Sequence, residues 1–236
     1  ADAEWHVEML TPEYIRSAHD ETLLRERIHE TKRKRLSDQQ ALRNRAALNA
    51  KAMYSSAHGC TEHPYLVRKQ IPFVPGLRIS SDNRIIVPMY KSDGQLVSLQ
   101  FIDSDGGKRF LPHGDCTGAY FPIAGSSPGK SPLLICEGLA TAISLNIHTG
   151  YDVACAFSAG NLKPVAVAMR IKFPSRKIIL CADNDSKGHK ADGTPYNVGV
   201  EKARMAAAAI SGFVIVPPSV GGKPTDFNDL AAVSQG

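Results

Sequence analysis

The feature that most constrains this chain is an alternation in its last hundred residues. Short apolar runs at 133–136, 153–157, 177–182 (after its opening Lys177) and 213–216 alternate with helix-length segments at 140–147, 162–171 and 198–210. The runs show no period-two pattern, so each must be covered on both faces. Buried strands separated by helices form a parallel sheet with helices packed on either side. The fold class is therefore α/β. In such a sheet, ligands bind beyond the carboxyl ends of the strands.

The residues upstream have a different texture. Residues 84–90 and 96–102 read as strands joined by a turn at Ser92-Asp93-Gly94, and Asp105-Gly106-Gly107 turns the chain into a third, at 108–111. This is a small antiparallel β subdomain. Residues 124–132, rich in Gly, Ser and Pro, are the best linker candidate. The first third reads as two helices. One starts at Thr11-Pro12-Glu13. The second starts at the capping-box pair Ser37 and Gln40 and continues through Leu42, Ala46, Ala50, Met53 and Ala57 to a stop at Gly59. The expected segments are a helical region at 1–60, a small α+β subdomain at 61–130 and the α/β domain at 131–236.

Composition is that of a globular protein, with 43% hydrophobic and 22% charged residues and a net charge of +5. The charge is unevenly placed. Lys32, Arg33, Lys34, Arg35, Arg43, Arg45 and Lys51 are opposed within their stretch only by Asp38. Such a patch suits a phosphate backbone, and equally a solvated helix face. No apolar run is long enough to cross a bilayer, and no secretory pattern opens the chain. It begins with Ala1 rather than Met, as a fragment would. Of five cysteines, Cys136, Cys155 and Cys181 sit inside apolar runs, as small buried hydrophobes of a reducing cytoplasm. Cys60 and His63 with His113 and Cys116 could supply four zinc ligands, but the two pairs are far apart and match no familiar zinc module.

The carboxyl-end rule singles out the acids. The first strand runs into Glu137-Gly138, the third into Asp183-Asn184-Asp185, and beyond the fourth lies Asp226-Phe227-Asn228-Asp229-Leu230. Clustered carboxylates repel one another unless a cation neutralises them, and a hard divalent ion such as Mg²⁺ prefers oxygen ligands. Asp183 and Asp185, alternating just past a strand end, can both turn toward one ion. The competing reading makes such acids turn formers and helix caps; it is strong for Asp226, which precedes a short helical run, and weak for Glu137. Two look-alikes fail. Gly129-Lys130-Ser131 resembles the end of a phosphate-binding loop, but the required first glycine is replaced by Ala124, and a strand follows where a helix should. Asp183-Asn184-Asp185 also resembles an aspartyl phosphatase motif, but lies on a late strand and is followed by Ser186.

Glu137-Gly138-Leu139-Ala140-Thr141-Ala142 resembles the E-G-Y-A-T-A signature of primases carried by conjugative plasmids and satellite phages, with Leu139 in place of Tyr. Asp183-Asn184-Asp185 resembles the D-x-D of the Toprim fold, shared by bacterial primases, topoisomerases and related nucleases. Residues 156–162, Asp226-Phe227-Asn228-Asp229-Leu230 and Gln100-Phe101-Ile102 followed by Gly107-Lys108-Arg109-Phe110 are also similar to Toprim primase segments. The resemblance covers roughly residues 62–232. It implies a Toprim-like parallel sheet preceded by the small antiparallel subdomain and N-terminal helices.

The activity implied is that of a DNA primase core, making short RNA primers on single-stranded DNA from nucleoside triphosphates with Mg²⁺ or Mn²⁺. Glu137 would be the general base or acid at a nucleotide hydroxyl. Asp183 and Asp185 would hold metal together with Glu137, and Asp229 and Asp226 would complete the acidic cluster. Lys108 and Arg109 are the first candidates to meet template or triphosphate; Arg84, Arg78 and Lys163, and the patch Lys32, Arg33, Lys34 and Arg35, come next. Neither a zinc-binding cysteine cluster nor a helicase phosphate loop is visible, which implies an excised piece or reliance on a replicative helicase or a separate zinc-binding domain. Two alternatives use the same fold: a Toprim nuclease or topoisomerase fragment, and a non-catalytic single-strand-binding accessory protein.

Overall fold

The computed structural model describes residues 18–59, 62–184, 188–189, 195–219 and 225–233. The chain divides into two compact units, Ala1–Leu42 and Arg43–Gly236. Its first element is a single helix, α1 (Ala18–Ser56), where two were expected. Ser37 and Gln40 lie mid-helix. Their neighbours are Lys, Arg, Leu, Ala and Gln, good helix formers that give the chain no reason to break there. Residues 23–42 are exposed all round. The start expected at Thr11–Glu13 lies outside the described residues.

Within the second unit, α2 (Pro64–Lys69) is capped by His63, whose Nδ1 accepts from the Tyr65 amide. A four-stranded antiparallel sheet follows in the order β1 (Arg78–Ile79), β2 (Ile85–Tyr90), β3 (Leu96–Ile102), β4 (Lys108–Phe110). Its two long strands, β2 and β3, are buried on both faces, whereas β4 is exposed. Ile85, Val87, Met89 and Ile102 enter the main core, whereas Ile86, Leu99 and Phe101 pack with Ala50 of α1.

The second sheet has five strands: β5 (Phe121–Ile123), β6 (Leu133–Cys136), β7 (Asp152–Cys155), β8 (Ile178–Cys181) and, after the two-residue pair β9 (Gly188–His189) and β10 (Pro195–Tyr196), β11 (Phe213–Ile215). Its order is β11-β8-β6-β7-β5, parallel except for β5, which runs antiparallel to β7. The helices between are α3 (Leu139–Thr149), α4 (Leu162–Lys172) and α5 (Val198–Ala208), and α6 (Phe227–Val233) follows β11. Alternation along β6 sends Leu134 and Cys136 into one core with α3, and Leu133 and Ile135 into another with α4 and α5. Ala140 and Ala142 are buried on α3, where small side chains let the helix lie close to the sheet.

The expected α/β architecture stands, with two corrections. The sheet gains an antiparallel edge from β5, which is only three residues long with Pro122 at its centre. The expected linker is also tied into the fold. The amides of Gly125 and Gly129 donate to the Asp152 carboxylate at 2.7 and 2.9 Å, and Arg176 pairs with the same group at 2.5 Å. The turn that resembles a phosphate loop thus already holds an anion belonging to its own chain.

Candidate active site

Register builds the site. Cys136 is paired with Cys155 on one side and Cys181 on the other, so β7, β6 and β8 end in line. Glu137 follows β6 by one residue and Asp183 follows β8 by two, on strands ~4.8 Å apart. Both are half-buried. Asp185 lies outside the described residues. The three thiols beneath report the field of the acids above them. Burial, with Cys155, Cys181, Asp183 and Asp226, pushes Cys136 well above the usual thiol range. Cys155 is pushed up to about 12 by burial. The Phe157 amide and Lys108 lower it; Glu137 and Asp183 raise it. Glu137, Asp183, Asp226 and Lys108 therefore surround one set of strand ends.

Lys108 and Arg109 are adjacent in sequence but part company in the strand. Lys108 pairs with Ile102 and Phe110 with Gln100, on the face toward the main core. Arg109 pairs with Phe101 on the opposite face, and borders a pocket with Asp82, Asn83, Arg84 and Asp103. Arg84 bonds Asp82 at 2.6 Å and lies over the Phe101 ring. Arg78 donates to the carbonyls of Tyr54, Ser55 and Ala57, closing the carboxyl end of α1. Lys163 is exposed on α4. Lys32, Arg33, Lys34 and Arg35 are exposed on α1 within the first unit. In the second unit, Arg43 lies 3.5 Å from Asp115.

The two late acids differ from each other. Asp226 caps α6, its Oδ1 accepting from the amides of Asn228 and Asp229 at 2.7 and 2.8 Å, while its charge still reaches Cys136 and Tyr65. Asp229, more exposed, lies 3.8 Å from the Lys69 ammonium. The zinc expectation does not survive for His63. Its Nδ1 is the helix cap and its Nε2 lies 2.9 Å from the Asn83 carbonyl, so both ring nitrogens are engaged in a buried site. Cys60 lies outside the described residues.

Sequence reasoning missed three asparagines and a tyrosine. Asn184 exchanges backbone bonds with Thr225, donates from Nδ2 to the Pro217 carbonyl at 2.9 Å, and accepts at Oδ1 from Asn197, itself the cap of α5. It ties the Asp183 loop to the exits of β11 and to the starts of α5 and α6. Gly199 is required beside it, because a Cβ there would come within 2.7 Å of the Asp183 carbonyl. Asn161 joins Gly118 and Ala119 to Ala156, and Asn228 joins Lys69 to Ser144. All three stand inside the motifs quoted above, and a polar residue kept in a buried motif was the available signal. Tyr65 is buried, with its hydroxyl unpartnered among the described residues. Its phenol is pushed up to about 12 by burial, then by Cys155 and Asp226. Tyr90 is likewise pushed to about 12, chiefly by burial, and the Tyr54 hydroxyl donates to Gly76. Neither pattern is that of an exposed nucleophilic phenol.

Parts of this chain are similar to known proteins. Residues 132–235 match the model of the Toprim domain. The chain is also homologous to DNA primase TraC of Escherichia coli, being 32% identical to one such protein over 174 residues and 32% identical to a second over 157. Those alignments take in 72% and 65% of this chain but 12% and 15% of the relatives, so the chain spans a small part of the length of the curated proteins it matches. Among solved structures it is similar to the primase fragment of the bacteriophage T7 primase-helicase protein, with a TM-score of 0.47, 17% identity and coverage of 72% of this chain and 65% of that one. It is also similar to a DnaG primase catalytic domain bound to single-stranded DNA, with a TM-score of 0.48, 11% identity and coverage of 84% and 76%.

The acids at these strand ends have the oxygen-donor chemistry that a hard divalent cation prefers. Glu137 and Asp183 are oxygen donors just past the ends of neighbouring strands, and the thiols beneath them are buried and held protonated; among the described residues, which leave out Asp185, no three acids, histidines or cysteines come together as a metal-ion group.

Proposed function

We propose that this chain is the nucleotidyl-transfer core of a primase, joining nucleoside triphosphates into a short RNA primer on single-stranded DNA. The observation that carries the reading is the alignment of β6 and β8, which sets Glu137 and Asp183 side by side with Lys108 facing the same strand ends. Homology to a protein called a primase agrees with it.

Glu137, Asp183 and Asp185 would hold Mg²⁺ or Mn²⁺, with Asp226 and Asp229 completing the acidic edge. A bound divalent ion supplies neutralisation of the triphosphate and stabilises charge developing on the transferring phosphoryl group. The chain's own residues do the rest. The 3′ hydroxyl of one nucleotide attacks the α-phosphorus of the next, the bond to pyrophosphate breaks, and Glu137 takes the hydroxyl proton. Gly138 is the N-cap of α3, and a Cβ there would meet nothing nearer than the Thr141 hydroxyl at 3.6 Å. Lys108 adds a positive charge opposite the acids. Single-stranded DNA and nucleoside triphosphates are the partners, with a replicative helicase or a separate zinc-binding domain supplying loading and template choice. Arg109, Arg84, Arg78 and Lys163 take second place to Lys108 in this reading, because the first three serve the far face of the small sheet or the end of α1. The setting is a reducing cytoplasm.

The test is synthesis of labelled primers on mixed single-stranded templates with Mg²⁺ or Mn²⁺. Short products from the unaltered chain should fall at least 10²-fold in Glu137→Gln and in Asp183→Asn, the scale of a lost general base or metal ligand. Products undiminished in both variants would sink the assignment.

A further inference from the structure

The end of β7 carries an anomaly. Phe157, two residues past Cys155, has φ of 69°, the left-handed region that a bulky side chain rarely enters. Backbone strain of this kind concentrates at ligand-handling sites and persists only where the surroundings impose it. The strained residue aims its ring at Phe110 of β4, edge to face, with centroids 6.3 Å apart. Phe157 itself is buried, whereas Phe110 is 40% exposed on a strand whose three residues are all open to solvent. An apolar ring on an open edge strand costs solubility and invites unwanted pairing. Here it stands against a residue just past the carboxyl end of β7, the strand beside β6, on the same face of β4 as Lys108. The supporting ring below fixes its orientation, and its outer surface is free of any other aromatic or cation partner among the described residues.

We infer that Phe110, braced by Phe157 and flanked by Lys108, is a stacking platform for one unpaired nucleobase beside Glu137. A flat apolar surface takes any base, since every base presents a π-face, and the neighbouring ammonium takes the phosphate attached to it. The base comes from the template strand or from an incoming nucleotide; the chemistry is shared. The inference rests on the nucleotidyl-transfer reading for its choice of ligand, but its test needs no turnover.

Affinity is measured for an oligothymidylate and for an abasic strand of equal length, using the whole chain and its Phe110→Ala and Phe110→Trp variants. The unaltered chain should prefer the strand that carries bases. Phe110→Ala should lose about 5- to 150-fold for that strand, the range for one stacked base, and little for the abasic one. Phe110→Trp should keep the preference, with its indole fluorescence quenched by the oligothymidylate and not by the abasic strand. Competition by a free nucleoside triphosphate assigns the base to the incoming nucleotide, and its absence assigns it to the template. Equal loss for both strands in Phe110→Ala would make the ring a mere clamp between the sheets and overturn the proposal, as would no base preference in the unaltered chain. A base preference without primer synthesis would instead count against the catalytic reading and leave the platform standing.

Discussion

At the scale of single residues, the site is held by amides as much as by acids. Asn184 places Asp183 through two side-chain bonds that no other residue of its size and polarity would reproduce. Replacing it with Ala should cost about 1–3 kcal/mol, the sum of two hydrogen bonds at ~0.5–1.5 kcal/mol each. It should also raise the Mg²⁺ concentration needed for half-maximal primer synthesis; metal titration beside a denaturation curve separates the two effects. Tyr65 makes the opposite case. Its buried, unpartnered hydroxyl is a stability cost, so Tyr65→Phe should be neutral or stabilising by up to about 2 kcal/mol in chemical denaturation. A fall in activity together with that gain would show that the hydroxyl serves the site.

At the scale of elements, the tie between the 124–132 turn and β7 carries a pH signature. Burial raises the Asp152 pKa, but the amides of Gly125 and Gly129 and the Arg176 guanidinium outweigh it and hold the group below the usual carboxylate range. A depressed folded-state pKa contributes stability above the unfolded value near 4, and that stability is lost as pH falls through the folded value. Asp152→Asn should therefore lower stability at neutral pH by about 1–3 kcal/mol and flatten its decline under acid; urea melts between pH 7 and pH 3 check both.

The same element shows what sequence alone conveys. The parallel strands were legible because burial on both faces writes itself as unbroken apolar runs, and strand ends then pointed to Glu137 and Asp183. The tie was not legible, since Gly, Ser and Pro look alike in a free linker and in a turn fastened by Asp152 from 23 residues away. Nor was β5, too short and too proline-marked to read as a strand. At the small sheet, sequence placed Lys108 and Arg109 together, and only the two-residue period of β4 shows that they face opposite ways. The capping pair at Ser37 failed differently: local capping chemistry lost to uninterrupted helix propensity on both sides of it.

At the scale of the whole molecule, the boundary of the first unit tells where to cut. Ala46 and Ala50 are buried in the second unit, so removing the helix as far as residue 57 would strip its core. Removing residues 1–42 should leave the melting temperature of the remainder within a few degrees, and should weaken single-strand binding while reducing its salt dependence, because Lys32, Arg33, Lys34 and Arg35 go with them. Affinity unchanged across a salt series would clear the patch of any such role. The aligned thiols under the acids have a different use. Burial pushes the Cys155 and Cys181 thiols up to about 12 in a sealed layer, so both stay protonated at neutral pH. Neither alkylating agents nor peroxide should reach them while the three strands stay paired. Peptide-mapped labelling of Cys136, Cys155 and Cys181 is therefore a clock for the opening of the strands beneath the acids. If those strands open only with global unfolding, the three sites should tick at one rate, and a slower or faster member would reveal which strand lets go first.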